Sequence, residues 1–423
     1  MKVGGTVRAP GDKSITHRAL LLAALGRGVS HIGGALTSLD ARSTARVLRQ
    51  LGAEISPLRE GDVLTIKGRG RFRAPERTLD CGNSGTTTRL LLGLLAGHRF
   101  KATLTGDASL RRRPMRRVTG PLTEMGARFE ELAGDGLPLT VRGGRLRPIR
   151  YAMPVSSAQI KSSLLLAGVM GEVAVDLLEP SGRSRDHTER MLRAFGYDVG
   201  ERDGWIEFRP GGRIEPFDIQ VPGDPSSAAF LVGAAALAEA GQVRIAGVGV
   251  NPTRTGFLRV LERMGADVAV DAPDTSFGEP VADLIAGPAS LRRTEVTAGE
   301  IPGLIDEIPL LAVLATRAEG DTVFRDVGEL RVKESDRLGL IAGNIRAVGG
   351  RAEVRGDDLH VQGVERPPRG RVRTAGDHRI AMAFAVLGTL PGARISIDDM
   401  ACAAVSFPGF SATLRSIAAR SSR

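Results

Sequence analysis

Six times along the chain a short polar segment containing Gly or Ser runs straight into an apolar, mostly Ala/Leu-rich stretch of helical length and ends at Gly. The copies are GDKSITHRALLLAALGRG from Gly11, GNSGTTTRLLLGLLAG from Gly82, SSAQIKSSLLLAGVMG from Ser156, GDPSSAAFLVGAAALAEAG from Gly223, PGLIDEIPLLAVLATRAEG from Pro302 and GDHRIAMAFAVLGTLPG from Gly376. They recur about every 65 to 80 residues, too far apart for a solenoid and right for one small α/β unit each.

A second signature follows each first helix. A short alternating run such as ATLTG or VRIAG precedes a second helix, seen in ARVLRQLGAEI, VTGPLTEMGARFE, TERMLRAFGYDV, GFLRVLERMGADVAV and LIAGNIRAVGGRAEV. Phe257, Val260, Leu261 and Met264 recur at three- and four-residue steps there, the helical period. Turns at Asp203-Gly204 and Gly356-Asp357 mark hairpins after the closing strands. The sixth copy ends in SFPGFSATLRSIAAR, read as a last helix. Each unit is therefore strand–helix–strand–helix–strand–strand, and the fold class is α/β. A chain of 423 residues is too long for one ordinary core, so three copies in each of two similar domains is the expected arrangement. Apolar first helices belong inside and the Arg- and Glu-rich second helices outside.

The 58 Lys+Arg against 48 Asp+Glu leave a net charge of +10, which suits an anionic partner. An Arg-rich solvated surface would account for part of it. With 4% aromatic residues the chain lacks the stacking platforms of a single-strand binder. Only six of the basic residues are lysines, and Lys13 and Lys333 fall inside polar clusters where a compact charge with a movable pKa has a use. No apolar run reaches membrane-spanning length, and the N-terminus lacks a signal-peptide pattern. Cys81 and Cys402 carry no metal or redox spacing, so a reducing cytoplasm is the expected setting.

Helix starts expose unpaired N–H groups and a partial positive charge, so they favour anions. Capping alone explains Ser14, Ser84, Thr86, Ser157 or Asp306 taken singly. It does not explain Lys13 with Arg18, Arg89 after NSGTT, Gln159 with Lys161, or His378 with Arg379. Repeated polar entries in register point to a shared face. Arg111-Arg112-Arg113-Pro114 and RVKESDR (331–337) add further charge. No HExxH, phosphate loop, GxGxxG after a strand or GxSxG elbow is present. The residues therefore favour metal-free, nucleotide-free acid–base chemistry on anions, with Asp306, Glu334, Lys13 and Lys333 as proton carriers.

PGDKSITHRALLLAAL, GNSGTTTRLL, RRRPM, SSAQIKSSLLLAG, SRDHTERML, PGDPSSAAF, LIDEIPLLA, RVKESDRL and GDHRIAMA together resemble the enolpyruvyl transferases, in order and over essentially the whole chain. Within that family the resemblance is to the members acting on shikimate 3-phosphate. It implies an inside-out α/β barrel fold of two domains, 13–222 and 1–12 with 223–423, crossed twice by the chain, with the active site in a cleft that closes on substrates. The implied reaction transfers the enolpyruvyl group of phosphoenolpyruvate to the 5-hydroxyl of shikimate 3-phosphate, with no cofactor, metal, nucleic acid or membrane, in a monomer.

Residue by residue, the resemblance implies shikimate 3-phosphate contacts from Lys13, Ser14, Arg18, Ser157, Gln159, Ser184, Asp306 and Lys333. It implies phosphoenolpyruvate contacts from Lys13, Gly85, Arg89, Arg113, Gln159, Arg337 and Arg379. Asp306 would take the hydroxyl proton, and Glu334, with Lys333 and Lys13, would protonate the methylene carbon. Two positions depart from the family pattern. Val405 stands where many members carry a further Lys, so one phosphoenolpyruvate contact would be missing or supplied otherwise. Ala158 stands where some have Ser, so a backbone N–H would replace a side-chain hydrogen bond. The rival with the same donor, UDP-N-acetylglucosamine 1-carboxyvinyltransferase, typically has Asn after its first Lys and often a loop Cys; here Ser14 follows Lys13 and the Arg111 to Pro114 loop has no Cys. A basic protein that binds nucleic-acid ends on a similar scaffold would not need Asp306 and Glu334 among its cations.

Overall fold

The structure, a computed structural model, describes residues 1–132 and 134–418. It divides into two units: Gly11–Val221 together with Ser276–Glu279, and Met1–Pro10 with Pro222–Thr275 and Pro280 onward. Ser276–Glu279 is the turn between strands Val268–Ser276 and Glu279–Ala286. Within the first unit Phe277 lies 5.1 Å from the Phe217 ring, and Glu279 pairs with His187 at 2.7 Å. This short excursion is an exchange beyond the two that the resemblance implies.

Five four-stranded sheets share one topology, which is the repeat seen in three dimensions. In each, the strand before the first helix pairs parallel with the strand after it, and two antiparallel strands complete the sheet. Leu79–Asp80 pairs parallel with Lys101–Thr105, which pairs antiparallel with Leu139–Arg142, which pairs antiparallel with Arg128–Glu131. The first copy takes its leading strand from the end of its own unit, as Asp218–Gln220 pairs with Arg27–Gly33. In the other unit Thr6–Arg8, near the start of the chain, is the leading strand that pairs with Val243–Gly249. The sixth copy has only the parallel pair Arg369–Val372 and Arg394–Ile397. Helix Phe410–Ser416 follows them, and residues 419 and 420 of the expected last helix lie outside the described residues.

The apolar first helices are the cores. Every residue of Lys13–Leu25 except Lys13 is buried, as are all of Pro225–Ala236 and Ile308–Ala315. Helices Gly85–Ala96 and Ala158–Gly171 approach so closely at Gly93 that a Cβ there would collide with the Ser163 carbonyl oxygen. Amphipathic second helices such as Gly256–Arg263 bury Phe257, Val260 and Leu261 and leave their basic residues outward. Because each unit stacks three first helices with the same connectivity, their polar starts are brought together.

Candidate active site

The site residues expected from the sequence fall into two groups, one in each unit. In the Gly11–Val221 unit, Asp12 caps helix Lys13–Leu25 by accepting from the Ile15 N–H at 2.8 Å. Lys13 then stands at the first helical position, largely buried, with its ammonium 3.4 Å from Asp40. Ser84 caps Gly85–Ala96 in the same way, accepting from the Thr87 N–H at 3.1 Å. Ser157 begins Ala158–Gly171 without a side-chain cap, and Ala158 is the first helical residue.

Gly85, Arg89, Arg113 and Gln159 come together. A Cβ on Gly85 would lie 3.2 Å from Arg113 Nη1 and 3.8 Å from Arg89 Nη1, so glycine leaves the space between two guanidinium groups. Arg113 donates to Asn83 Oδ1 at 2.7 Å, and Arg89 donates to Gln159 Oε1 and to the Pro114 carbonyl at 3.2 Å. Gln159 in turn donates to Thr86 Oγ1 at 3.1 Å. Two forked cations at one helix start, with a missing side chain between them, are an arrangement that can receive an anion.

Arg18 is placed differently from a simple phosphate ligand. It is buried, and it donates to Thr188 Oγ1 at 2.7 Å, Ser162 Oγ at 2.6 Å and the Ser14 carbonyl at 2.9 Å. Three of its five N–H groups thus organise the protein and fix the Ser14 backbone. Lys161, singled out with Gln159, is fully buried between Glu179 at 3.0 Å and Glu189 at 2.9 Å. Burial works against its charge, but Glu189 and Glu179 outweigh it and raise the pKa. Its third bond goes to the Ser184 carbonyl at 3.0 Å. Ser184 is buried, and its Oγ has no hydrogen-bond partner among the described residues.

In the other unit the centre is Arg337, 1% exposed. Its Nε bonds Asp377 at 2.8 Å, its Nη1 bonds Asp306 at 3.1 Å, and its Nη2 bonds Glu334. Burial alone would lower its pKa, but Asp377, Glu334 and Asp306 raise it far above the ordinary value. Arg379 joins the cluster, donating to the Asp306 carbonyl at 3.0 Å with its other terminal nitrogen 3.5 Å from the Asp306 carboxylate. Burial pushes the Asp377 pKa up, yet Arg337 and His378 prevail and hold it low. Lys333, 27% exposed, lies in the linker before helix Arg337–Ala347. Desolvation lowers its pKa, opposed by Asp306 and Glu329 and assisted by Arg337.

Asp377, Asp40 and Asn83 were not picked out from the sequence. Asp377 had a signal, since it caps helix His378–Leu387 directly before His378-Arg379. Val405 ends a 3-10 turn, Ala401–Val405, half-buried and adding no charge.

A family model described as EPSP synthase (3-phosphoshikimate 1-carboxyvinyltransferase) matches residues 1–414. The chain is 48% identical over 409 residues, 96% of its own length and 91% of the relative's, to the 3-phosphoshikimate 1-carboxyvinyltransferase of Alkalilimnicola ehrlichii. The solved EPSP synthase of Acinetobacter baumannii superposes with a TM-score of 0.86 at 39% identity, covering 98% of this chain and 96% of that one. The enolpyruvyl transferase NikO of Streptomyces tendae shares the fold, with a TM-score of 0.80 at 21% identity over 99% of this chain and 96% of its own. The architecture is thus the two-domain inside-out α/β fold of enolpyruvyl transferases, and the chain belongs to the EPSP synthase (3-phosphoshikimate 1-carboxyvinyltransferase) family.

Proposed function

We propose that the two groups of residues serve one reaction, transfer of the enolpyruvyl group of phosphoenolpyruvate to the 5-hydroxyl of shikimate 3-phosphate with release of phosphate, a step toward chorismate and the aromatic amino acids. The observation that carries this reading is the pair of carboxylates, Asp306 and Glu334, fixed on one buried guanidinium beside a second arginine. An anion-binding module would not need two carboxylates in that place; an acid–base catalyst working on anions does.

In this reading Lys13, Ser14, Ser157, Gln159 and Ser184 hold shikimate 3-phosphate, with Arg18 acting through the Ser14 backbone. Gly85, Arg89, Arg113, Arg337 and Arg379 hold phosphoenolpyruvate, and Lys13 and Gln159 touch it as well. Asp306 accepts the proton of the attacking hydroxyl as its oxygen bonds the enol carbon. Glu334, with Lys333 and Lys13, gives a proton to the methylene carbon, which becomes a methyl group. The tetrahedral adduct then loses phosphate together with one of the three methyl protons, which restores the carbon–carbon double bond. Lysine and arginine balance the charge, so no metal or cofactor enters. We also infer a cytoplasmic monomer without nucleic-acid partners, which the free thiols of Cys81 and Cys402 support as regards the compartment.

Turnover in D2O tests the addition–elimination sequence. Deuterium should appear on the transferred methylene carbon, and Glu334→Gln should suppress both incorporation and turnover. Product formed at the normal rate without deuterium would overturn the assignment of Glu334.

A further inference from the structure

His17 is a buried polar group that this chemistry leaves unused. It is 0% exposed and lies one helical turn after Lys13. Its Nδ1 is 2.7 Å from Thr44 Oγ1, which is 2.6 Å from Thr87 Oγ1, which donates to Ser84 Oγ at 2.7 Å. All four side chains are buried, and they bridge helices Lys13–Leu25, Leu39–Gln50 and Gly85–Ala96.

Proton counting orients the relay. Each hydroxyl has one proton to give. Thr87 gives its own to Ser84, so it accepts from Thr44 at 2.6 Å, the Asp40 carbonyl at 3.5 Å being too far to take that proton instead; Thr44 then has only a lone pair for the imidazole. The Nδ1 atom of His17 is therefore the donor, and the ring is the neutral Nδ1–H tautomer. Its Nε2 is buried with no hydrogen-bond partner among the described residues, so no acceptor waits for a second proton. The far end of the relay is Ser84, the cap immediately before Gly85.

We propose that His17 is a positioning residue that, through Thr44 and Thr87, holds the helix start bearing Lys13 in register with the helix start bearing Gly85. This rests on the proposed function, in which those two starts meet the same substrates. The role needs an N–H at the Nδ1 position and not simply a ring of that volume. The amide nitrogen of Asn can occupy that position, that of Gln reaches toward Nε2 instead, and Phe fills the space without a donor.

The test is steady-state kinetics with phosphoenolpyruvate and shikimate 3-phosphate for the wild-type chain, His17→Asn, His17→Gln, His17→Phe and Thr87→Val, at a temperature where circular dichroism shows each folded. His17→Asn should keep kcat/KM within about threefold of wild type, while His17→Phe, His17→Gln and Thr87→Val lose about a hundredfold through misplacement of the binding groups. The double variant His17→Asn/Thr87→Val should be no worse than Thr87→Val. If Phe and Gln outrank Asn, volume is what matters and the positioning role is overturned. Should the Phe variant not fold, full activity in Thr87→Val would overturn it equally. An inactive wild-type chain would refute the proposed function instead, so the two failures are distinguishable.

Discussion

Asp306 and Glu334 bond the two terminal nitrogens of a single guanidinium, that of Arg337, whose remaining nitrogen is tied to Asp377. The two carboxylates assigned opposite proton transfers are thus positioned by one rigid planar group. An arginine held by three carboxylates also keeps them from repelling one another in a buried place.

Removing Arg337 should therefore destabilise its unit as well as stop turnover. Arg337→Ala leaves Asp377 and its neighbours uncompensated, a loss of about 3–5 kcal/mol in urea unfolding. Arg337→Lys restores charge but not the fork, and should recover part of the stability with little of the activity. Wild-type stability in Arg337→Ala would contradict the role.

Asp306→Asn keeps the shape of the side chain and removes the base. The rate kcat should fall by about 10²- to 10⁴-fold with the fold retained, as expected for loss of a general base. Phosphate release and thermal melts measure the two quantities separately. Near-normal kcat would move the base elsewhere.

Gly85→Ala places a methyl group 3.2 Å from Arg113 Nη1, in the space between two arginines. KM for phosphoenolpyruvate should rise roughly tenfold, the equivalent of about 1.4 kcal/mol of binding, with kcat changed less. A rise confined to KM for shikimate 3-phosphate would assign this space to the other substrate.

Burial, then the charges of Lys13 and Arg18, push the His17 pKa down to about 3. The unfolded chain takes up this proton near the ordinary value of about 6.5 and the folded chain does not. The stability contribution is thus complete above about pH 6.5 and is lost as pH falls toward about 3, at roughly 1.4 kcal/mol per pH unit. The stability difference between wild type and His17→Asn, followed by urea unfolding from about pH 6 to about pH 4, should show that slope. A difference independent of pH would mean that His17 protonates in the folded state.

The architecture was legible because it is periodic: five sheets repeat one pairing order, and each polar helix entry seen in the sequence is a helix start in space. Contacts between distant segments were not. Arg18 reads as an anion ligand beside Ser14, yet its partners Ser162 and Thr188 lie 144 and 170 positions away. Lys161 reads as a partner of Gln159, but Glu179 and Glu189 enclose it. Asp377 went unnoticed in the sequence: one carboxylate oxygen caps its own helix, and the other holds Arg337, 40 positions away. Local pattern sets which residues enter helices, and only the packing of separate repeats decides which charges meet.

The proposed reaction takes one donor and one acceptor. Purified protein given phosphoenolpyruvate with shikimate 3-phosphate should release inorganic phosphate in proportion to acceptor consumed, and should release none with UDP-N-acetylglucosamine in its place. Phosphate released only with UDP-N-acetylglucosamine, or with neither acceptor, would contradict the account.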